Sequence, residues 1–271
     1  MKVGVALRSM GPESTAETLF ACARAAEEVG LDDVWVADHV AIPPDDAEGS
    51  DGRYLDPLAT LATLSSVTSR VGLGTAVLNL PYRPPLPTAK WVATIQELSG
   101  GRLVLGVGLG WMEPEFRALG VPRAARGRLA DETLAFLRRC FASDVVEANG
   151  QPFLFRPRPP APPIFVGGAP PHALARALRH DAGWLPMARE ASELAAGLAE
   201  LARLAKEAGR ETPAVGCLVP LSLRASADDT AARLRAFRDA GLARVIFAFG
   251  RYGSADAFRR GVEQLARARP T

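Results

Sequence analysis

The sequence predicts a (β/α)8 barrel in a single domain over residues 1–271. Eight short apolar runs alternate with longer runs of helical period, and turn residues mark each change of period. The short runs are apolar on both faces, as parallel strands covered by helices are. Eight such units in about 250 residues is the arithmetic of a closed barrel. The rival, an open doubly wound sheet, normally has fewer strands and a GxGxxG at its first turn, where residues 8–14 offer only Gly11 and Pro12.

Taken in order, the first strand is expected over Val3–Leu7 and the first helix over Thr15–Val29, with Ser14 as N-cap, Glu17 completing a capping box and Gly30 closing the helix. Val34–Ala37 reads as the second strand, followed by a long polar loop (40–54) and a helix over Leu55–Ser69. A strand over Val71–Leu78 leads to a helix over Leu86–Leu98, and one over Leu103–Val107 to a helix over Arg126–Phe141. Residues 142–163 then insert a hairpin, with Asn149-Gly150 as its two-residue turn, and a proline-rich stretch, RPRPPAPP. The remaining strands fall at Ile164–Val166, Gly183–Pro186, Val215–Leu221 and Arg244–Phe249. Their helices fall at His172–Arg179, Ala191–Ala208, Asp228–Ala240 and Ala255–Arg267, with Ser226 and Gly241 bounding the third of these. Loops after barrel strands lie over the C-terminal mouth, where active sites are found. The 40–54 loop is therefore a candidate lid or substrate wall, and the 142–163 segment is expected to shape the pocket.

Charge balance narrows the function. Thirty-two basic residues against 30 acidic give a net charge of +2, which removes the general reason to expect a nucleic-acid or anionic-membrane partner. Only Lys2, Lys90 and Lys206 are lysines, an arginine bias that coding composition explains. Three scattered cysteines suit a reducing compartment, and MKVGVALR lacks signal-peptide anatomy, so the expected location is cytoplasmic.

Few residues can carry chemistry. Asp38-His39 ends the second strand, at the mouth, where an imidazole can exchange a proton near neutral pH and the adjacent carboxylate can orient it. His172 and His180 fall on a helix and read as surface or packing residues. Glycines punctuate three strand exits: VGLGTAVLN at 71–79, LGVGLGW at 105–111 and IFVGG at 164–168. Such turns permit close approach to the backbone, and a Gly-Gly turn feeding a helix N-terminus favours a phosphate. No HxH, HExxH or GxSxG occurs, so neither a metal site nor a serine nucleophile is expected. By elimination the barrel should take its chemistry from an organic cofactor and a small-molecule substrate.

The motifs VWVADH (34–39), LGTAVLNLPYRPPLPTAK (73–90), LSGGRLVLGVGLGW (98–111) and PPIFVGG (162–168) resemble the luciferase-like monooxygenase superfamily. Within it they look most like the coenzyme F420-dependent oxidoreductases, with further agreement in EPEF…LGVP (113–122) and RGRLADETL (126–134). The resemblance implies a barrel, usually dimeric, with a flavin or deazaflavin across its mouth. It implies a bulged third strand with a cis peptide at Ala76–Val77, ring and tail contacts on Asp38, Ala76, Val77, Asn79, Gly108, Gly110 and Trp111, and phosphate contacts on Gly167 and Gly168. His39 matches a proton acceptor beside hydride transfer. In the sugar-phosphate dehydrogenase branch a glutamate stands where this chain has Trp111, and the usual GDGW reads HDAGW at 180–184, with Ala182 in the acidic place.

The expectation is hydride transfer between F420 and a small organic substrate, with His39 and Asp38 as catalytic residues. The alternatives are an FMN-dependent monooxygenase served by a separate reductase, and a non-catalytic flavin- or deazaflavin-binding protein. Arg83, Arg123, Arg126, Arg128, Arg156 and Arg158 are expected near the rim, where they would favour F420's polyglutamate tail.

Overall fold

A computed structural model describes residues 1–269. Eight parallel strands form one sheet: β1 (Lys2–Ala6), β2 (Asp33–Val36), β3 (Gly72–Asn79), β4 (Leu103–Gly108), β7 (Ile164–Gly167), β8 (Gly183–Leu185), β9 (Gly216–Leu221) and β10 (Arg244–Phe249). Their order is β8-β7-β4-β3-β2-β1-β10-β9, and the two ends meet through single bridges at Trp184–Val215 and Met187–Leu218, so the sheet nearly closes as a barrel. Each of the eight expected strands is present to within one residue at either end.

Helices return the chain outside the sheet: α1 (Ala16–Glu28), α2 (Pro57–Val67), α3 (Pro85–Leu98), α4 (Glu113–Ala118), α5 (Arg126–Ala142), α6 (His172–Arg179), α7 (Ala195–Glu207), α8 (Ala227–Asp239) and α9 (Ala255–Arg267). Their apolar faces meet the outward-pointing strand residues in one large core, and all three cysteines are buried. The inward residues Trp35, Val104, Phe165, Leu185 and Ile246 fill the barrel itself. At its entry end Arg244 pairs with the buried Asp33, and its guanidinium lies 5.3 Å over the Trp35 ring and 5.7 Å over Phe165. A charge enters this core only because both its ion-pair partner and aromatic faces accompany it.

Several local expectations change. The first helix is capped by Thr15, whose hydroxyl accepts from the Thr18 amide at 3.2 Å. Ser14 is turned inward instead, donating to the Gly11 carbonyl at 2.7 Å and accepting from Arg53 at 3.1 Å, so the Ser14–Glu17 box does not form. Asp56, unforeseen, caps α2 through the Leu58 and Ala59 amides. The expected helix over Ala191–Ala208 opens as a 3₁₀ turn over Ala191–Leu194 and becomes α-helical at Ala195. Ser226 caps α8 as expected, and Gly30 and Gly241 terminate their helices at φ of 82° and 83°.

The hairpin forms as β5 (Val145–Ala148) against β6 (Gln151–Leu154), with positive φ at both Asn149 and Gly150. It follows the C-terminus of α5 and precedes the start of β7, which puts it at the strand-entry end, away from the mouth. Arg156 and Arg158 are held there by Asp144 at 2.7 and 2.8 Å. This segment therefore does not shape the pocket, and these two arginines do not reach the rim.

Candidate functional site

Glycine-rich exits meet around one cleft. Beyond the exits of β3, β4, β7 and β8 lies a cavity of ≈ 710 Å³, completed by the start of α7 and by Leu218. This falls within the roughly 300–1,000 Å³ of small-molecule sites. Its wall holds Ala76, Val77, Asn79, Gly108, Gly110, Trp111, Gly167 and Gly168 together. Asp38 and His39 are not on that wall.

The third strand supplies the shelf. Its pairing with β4 shifts between Thr75 and Leu78, a bulge, and the Ala76–Val77 peptide is cis, as the resemblance implied. The bulge turns Ala76 and Val77 into the cleft, half-buried, instead of back into the ladder. A Cβ on Gly108 would overlap the Val77 side chain and stand 3.0 Å from Asn79 Oδ1, so β4 must be bare there for the shelf to sit flush. Gly110, at φ 73°, leaves room for the Tyr82 ring beneath the turn that carries Trp111.

Behind the shelf stand two buried polar networks. Asp38, 3% exposed, receives both terminal nitrogens of Arg83 at 2.6 and 2.8 Å and the Asn79 amide at 2.8 Å. Arg83 also reaches Asp56 at 2.7 Å, joining the exits of β2 and β3 to the N-cap of α2. Burial pushes the Asp38 carboxyl above its ordinary value while Arg83 and Asn79 pull it back. Its oxygens are thus committed inside the wall. Asp38 neither flanks the cleft nor contacts the His39 ring.

The second network centres on Glu115, a residue not singled out in the sequence beyond its place in EPEF. Its side chain is fully buried on α4. Oε1 accepts from the Val40 and Ala41 amides at 2.7 and 3.2 Å, and Oε2 accepts from the Tyr82 hydroxyl at 2.8 Å and lies 2.9 Å from His39 Nδ1. Burial alone would raise this carboxyl, but four hydrogen bonds outweigh it and hold the value at about 2. The carboxylate that meets His39 is therefore Glu115 and not the expected Asp38. His39 itself is flanked by Tyr54 at 4.9 Å and, edge-on, by Trp111 at 6.3 Å, which places it at the cleft margin.

Loop 40–54 is tied down along this side. Tyr54 bridges to Met10, the Gly11 amide donates to Arg53 O at 2.9 Å, and the Leu55 amide donates to Ser9 O at 3.0 Å. It borders His39 through Tyr54 but contributes nothing to the ≈ 710 Å³ cleft wall.

The opposite side is built differently. Gly168, at φ 118°, leads through Ala169 and Pro170 to the N-terminus of α6, and the Trp184 indole donates to Gly168 O at 2.9 Å. The positive end of the α6 dipole favours an anion here. Pro170 and Pro171 carry no N–H and the Ala173 amide donates to Ala169 O at 3.3 Å, so the backbone donors on this part of the wall are the Gly168 and Ala169 amides. Trp184, Leu185 and Met187 continue the wall, and only Arg126 and Glu193 among its residues are charged. Of the six arginines expected at the rim, Arg126 alone lines the cleft. His180 is buried against Asp131 at 2.9 Å and is a packing residue. A flat shelf, a backbone-lined anion corner and an apolar rim fit a planar heterocycle carrying a phosphate. Among the described residues no group of three or more His, Cys, Asp or Glu could hold a metal, and no helix is long and apolar enough to cross a membrane.

A nearly closed barrel with such a cleft at its strand exits belongs to the class of barrels that hold small molecules at the C-terminal mouth. The chain belongs to the luciferase-like monooxygenase family, whose model matches residues 1–269. It is 32% identical over 227 residues to the F420-dependent hydroxymycolic acid dehydrogenase of Mycobacterium tuberculosis, spanning 80% of this chain and 61% of that protein. Among solved structures, monooxygenase RslO1 from Streptomyces bottropensis superimposes with a TM-score of 0.82 at 21% identity over 98% of both chains. The oxygenating constituent of 3,6-diketocamphane monooxygenase from Pseudomonas putida, in complex with FMN, gives 0.68 at 18% identity over 86% of this chain and 70% of that one. Members of the family are oxidoreductases or monooxygenases, F420-dependent ones among them.

Proposed function

We propose that this protein transfers hydride between coenzyme F420 and a small, largely apolar alcohol or carbonyl compound. The observation that carries the reading is the placement of His39: a proton-exchanging ring at the margin of a flat-walled cleft, backed by an ionised carboxylate. A carrier would need the cleft but not this pair. The F420-dependent relative, 32% identical to this chain, favours the deazaflavin. When bound, the deazaflavin supplies a ring carbon that takes or gives hydride. The chain's own part begins with the shelf at Ala76 and Val77, which fixes the plane in which a ring can lie, with Asn79, Gly108, Gly110 and Trp111 around it. Gly167, Gly168 and the start of α6 would hold the phosphate. His39 takes the proton of a substrate hydroxyl as the carbon beside it loses its hydrogen with the bonding pair, or returns a proton in the reverse direction. Trp111 and Met187, 66% and 68% exposed on the cleft rim, give the substrate apolar surface and no partner for a sugar phosphate.

The test is a titration of the purified protein with F420 and with FMN, followed by fluorescence quenching, and turnover on a panel of small secondary alcohols and ketones. F420 should bind, and His39→Ala should keep its affinity while lowering turnover at least tenfold. Micromolar FMN affinity with no F420 binding overturns the cofactor, and unchanged turnover removes His39 from the reaction.

A further inference from the structure

We infer that Glu115 is a positioning residue that locks His39 in one tautomer and leaves Nε2 as its only proton-exchanging atom. The inference rests on the proposed reaction for its catalytic meaning, though not for its chemistry. An ionised carboxylate has no proton to donate. Glu115 has its value held at about 2, so at neutral pH it accepts from all four neighbours. Two backbone amides occupy Oε1, and the Tyr82 hydroxyl and His39 Nδ1 share Oε2. His39 Nδ1 must therefore carry hydrogen, which in the neutral ring leaves the lone pair on Nε2.

The same four bonds fix where the ring stands. Val40 and Ala41 follow His39 directly, so both the side chain and the backbone beyond it hang from one buried carboxylate. Tyr82 comes from the turn after β3, and its ring packs edge-on against Phe116, the next residue of α4, at 5.2 Å. Glu115 thus ties the exits of β2 and β3 to α4, with His39 as the one member of the cluster bordering the cleft. When Nε2 takes a proton, the imidazolium forms next to a carboxylate already in place, and nothing has to reorganise.

Nitrogen NMR of the histidine ring in the cofactor-free protein decides the matter without relying on turnover. At a pH where the ring is neutral, wild-type His39 should show a protonated Nδ1 and a bare Nε2, the minority form of free histidine. Glu115→Gln should lose that preference, and in the cofactor-loaded enzyme kcat should fall roughly a hundredfold with KM changed less than threefold. A wild-type ring protonated on Nε2, or a Glu115→Gln ring with the wild-type tautomer, overturns the inference. The wild-type spectrum is decisive even if the variant fails to fold. Should the tautomer be as stated while His39→Ala turns over normally, the proposed reaction fails and the tautomer lock stands.

Discussion

The two sides of the mouth solve different problems with different materials. On the β2–β4 side, polar side chains are buried and spent on each other: Asp38 on Arg83 and Asn79, Glu115 on His39, Tyr82 and two backbone amides. On the β7–β8 side the wall is mostly glycine backbone, indole and aliphatic surface, with main-chain groups and the single carboxylate of Glu193 as its polar members. Side chains have soft torsions and need networks to stand still, whereas a helix N-terminus is rigid from the start. The first side suits a group that must move a proton at a fixed atom. The second suits holding a flat or anionic molecule without offering it a reactive group.

The sharpest way to break this contrast is to remove a partner from each side. Arg83→Ala leaves the Asp38 carboxylate buried without its counter-ion, which should cost about 3–5 kcal/mol and lower the melting temperature by about 10 °C. Met187→Ala, at a residue 68% exposed on the other side, should change stability by less than about 0.5 kcal/mol. Thermal melts of the two variants beside wild type give the comparison directly. Equal losses would mean that the Asp38 network is not what holds the β2 and β3 exits together.

Acid should act on the same side. The Glu115 value lies near 2 in the folded protein and 4.5 ordinarily, so it stabilises the fold above pH 4.5 and loses that contribution as the pH falls towards 2. A difference of that size corresponds to about 3 kcal/mol. In urea denaturation series, wild type and Glu115→Gln should differ by a constant amount from neutrality down to about pH 5. That gap should shrink by about 3 kcal/mol as pH 2 is approached. A gap indifferent to pH would mean that the carboxylate is not ionised in the folded state.

How much of this could be read in the sequence follows the same division. The barrel was legible because each strand and helix is a local pattern, and its punctuation, Gly30, Ser226, Gly241 and Asn149-Gly150, is local too. The shelf was legible because the glycines of 105–111 and 164–168 fall at strand ends, which the topology brings to one face. The networks were not. Arg83 lies 45 residues from Asp38 and Glu115 lies 76 from His39, and residue types alone do not say which carboxylate meets which cation. Asp38 beside His39 was the natural pair by sequence, yet both lie past the end of β2 at Val36, where Asp38 turns into the wall to meet Arg83 and Asn79 and His39 turns to Glu115. Glu115 was hidden because its helix has six residues and begins with a proline at its second position, too short to show a period. The one signal was an acidic residue next to an aromatic one in EPEF, just past the glycine turn.

The smallest expected effect tests whether the backbone side is self-sufficient in charge. Arg126 is the one cationic side chain on the cleft wall, at the first position of α5, where its Nη1 donates to Arg123 O at 3.1 Å. If the start of α6 holds the anion, Arg126 only adds a partly screened attraction, worth about 1 kcal/mol or less at physiological salt. Arg126→Ala should then weaken F420 binding roughly three- to tenfold in quenching titrations, leave the melting temperature unchanged, and reduce the dependence of affinity on ionic strength. A hundredfold loss would move the anion from backbone to guanidinium. The β7–β8 side would then depend on a side-chain charge just as the β2–β4 side does, and the division between the two halves of the mouth would be one of degree.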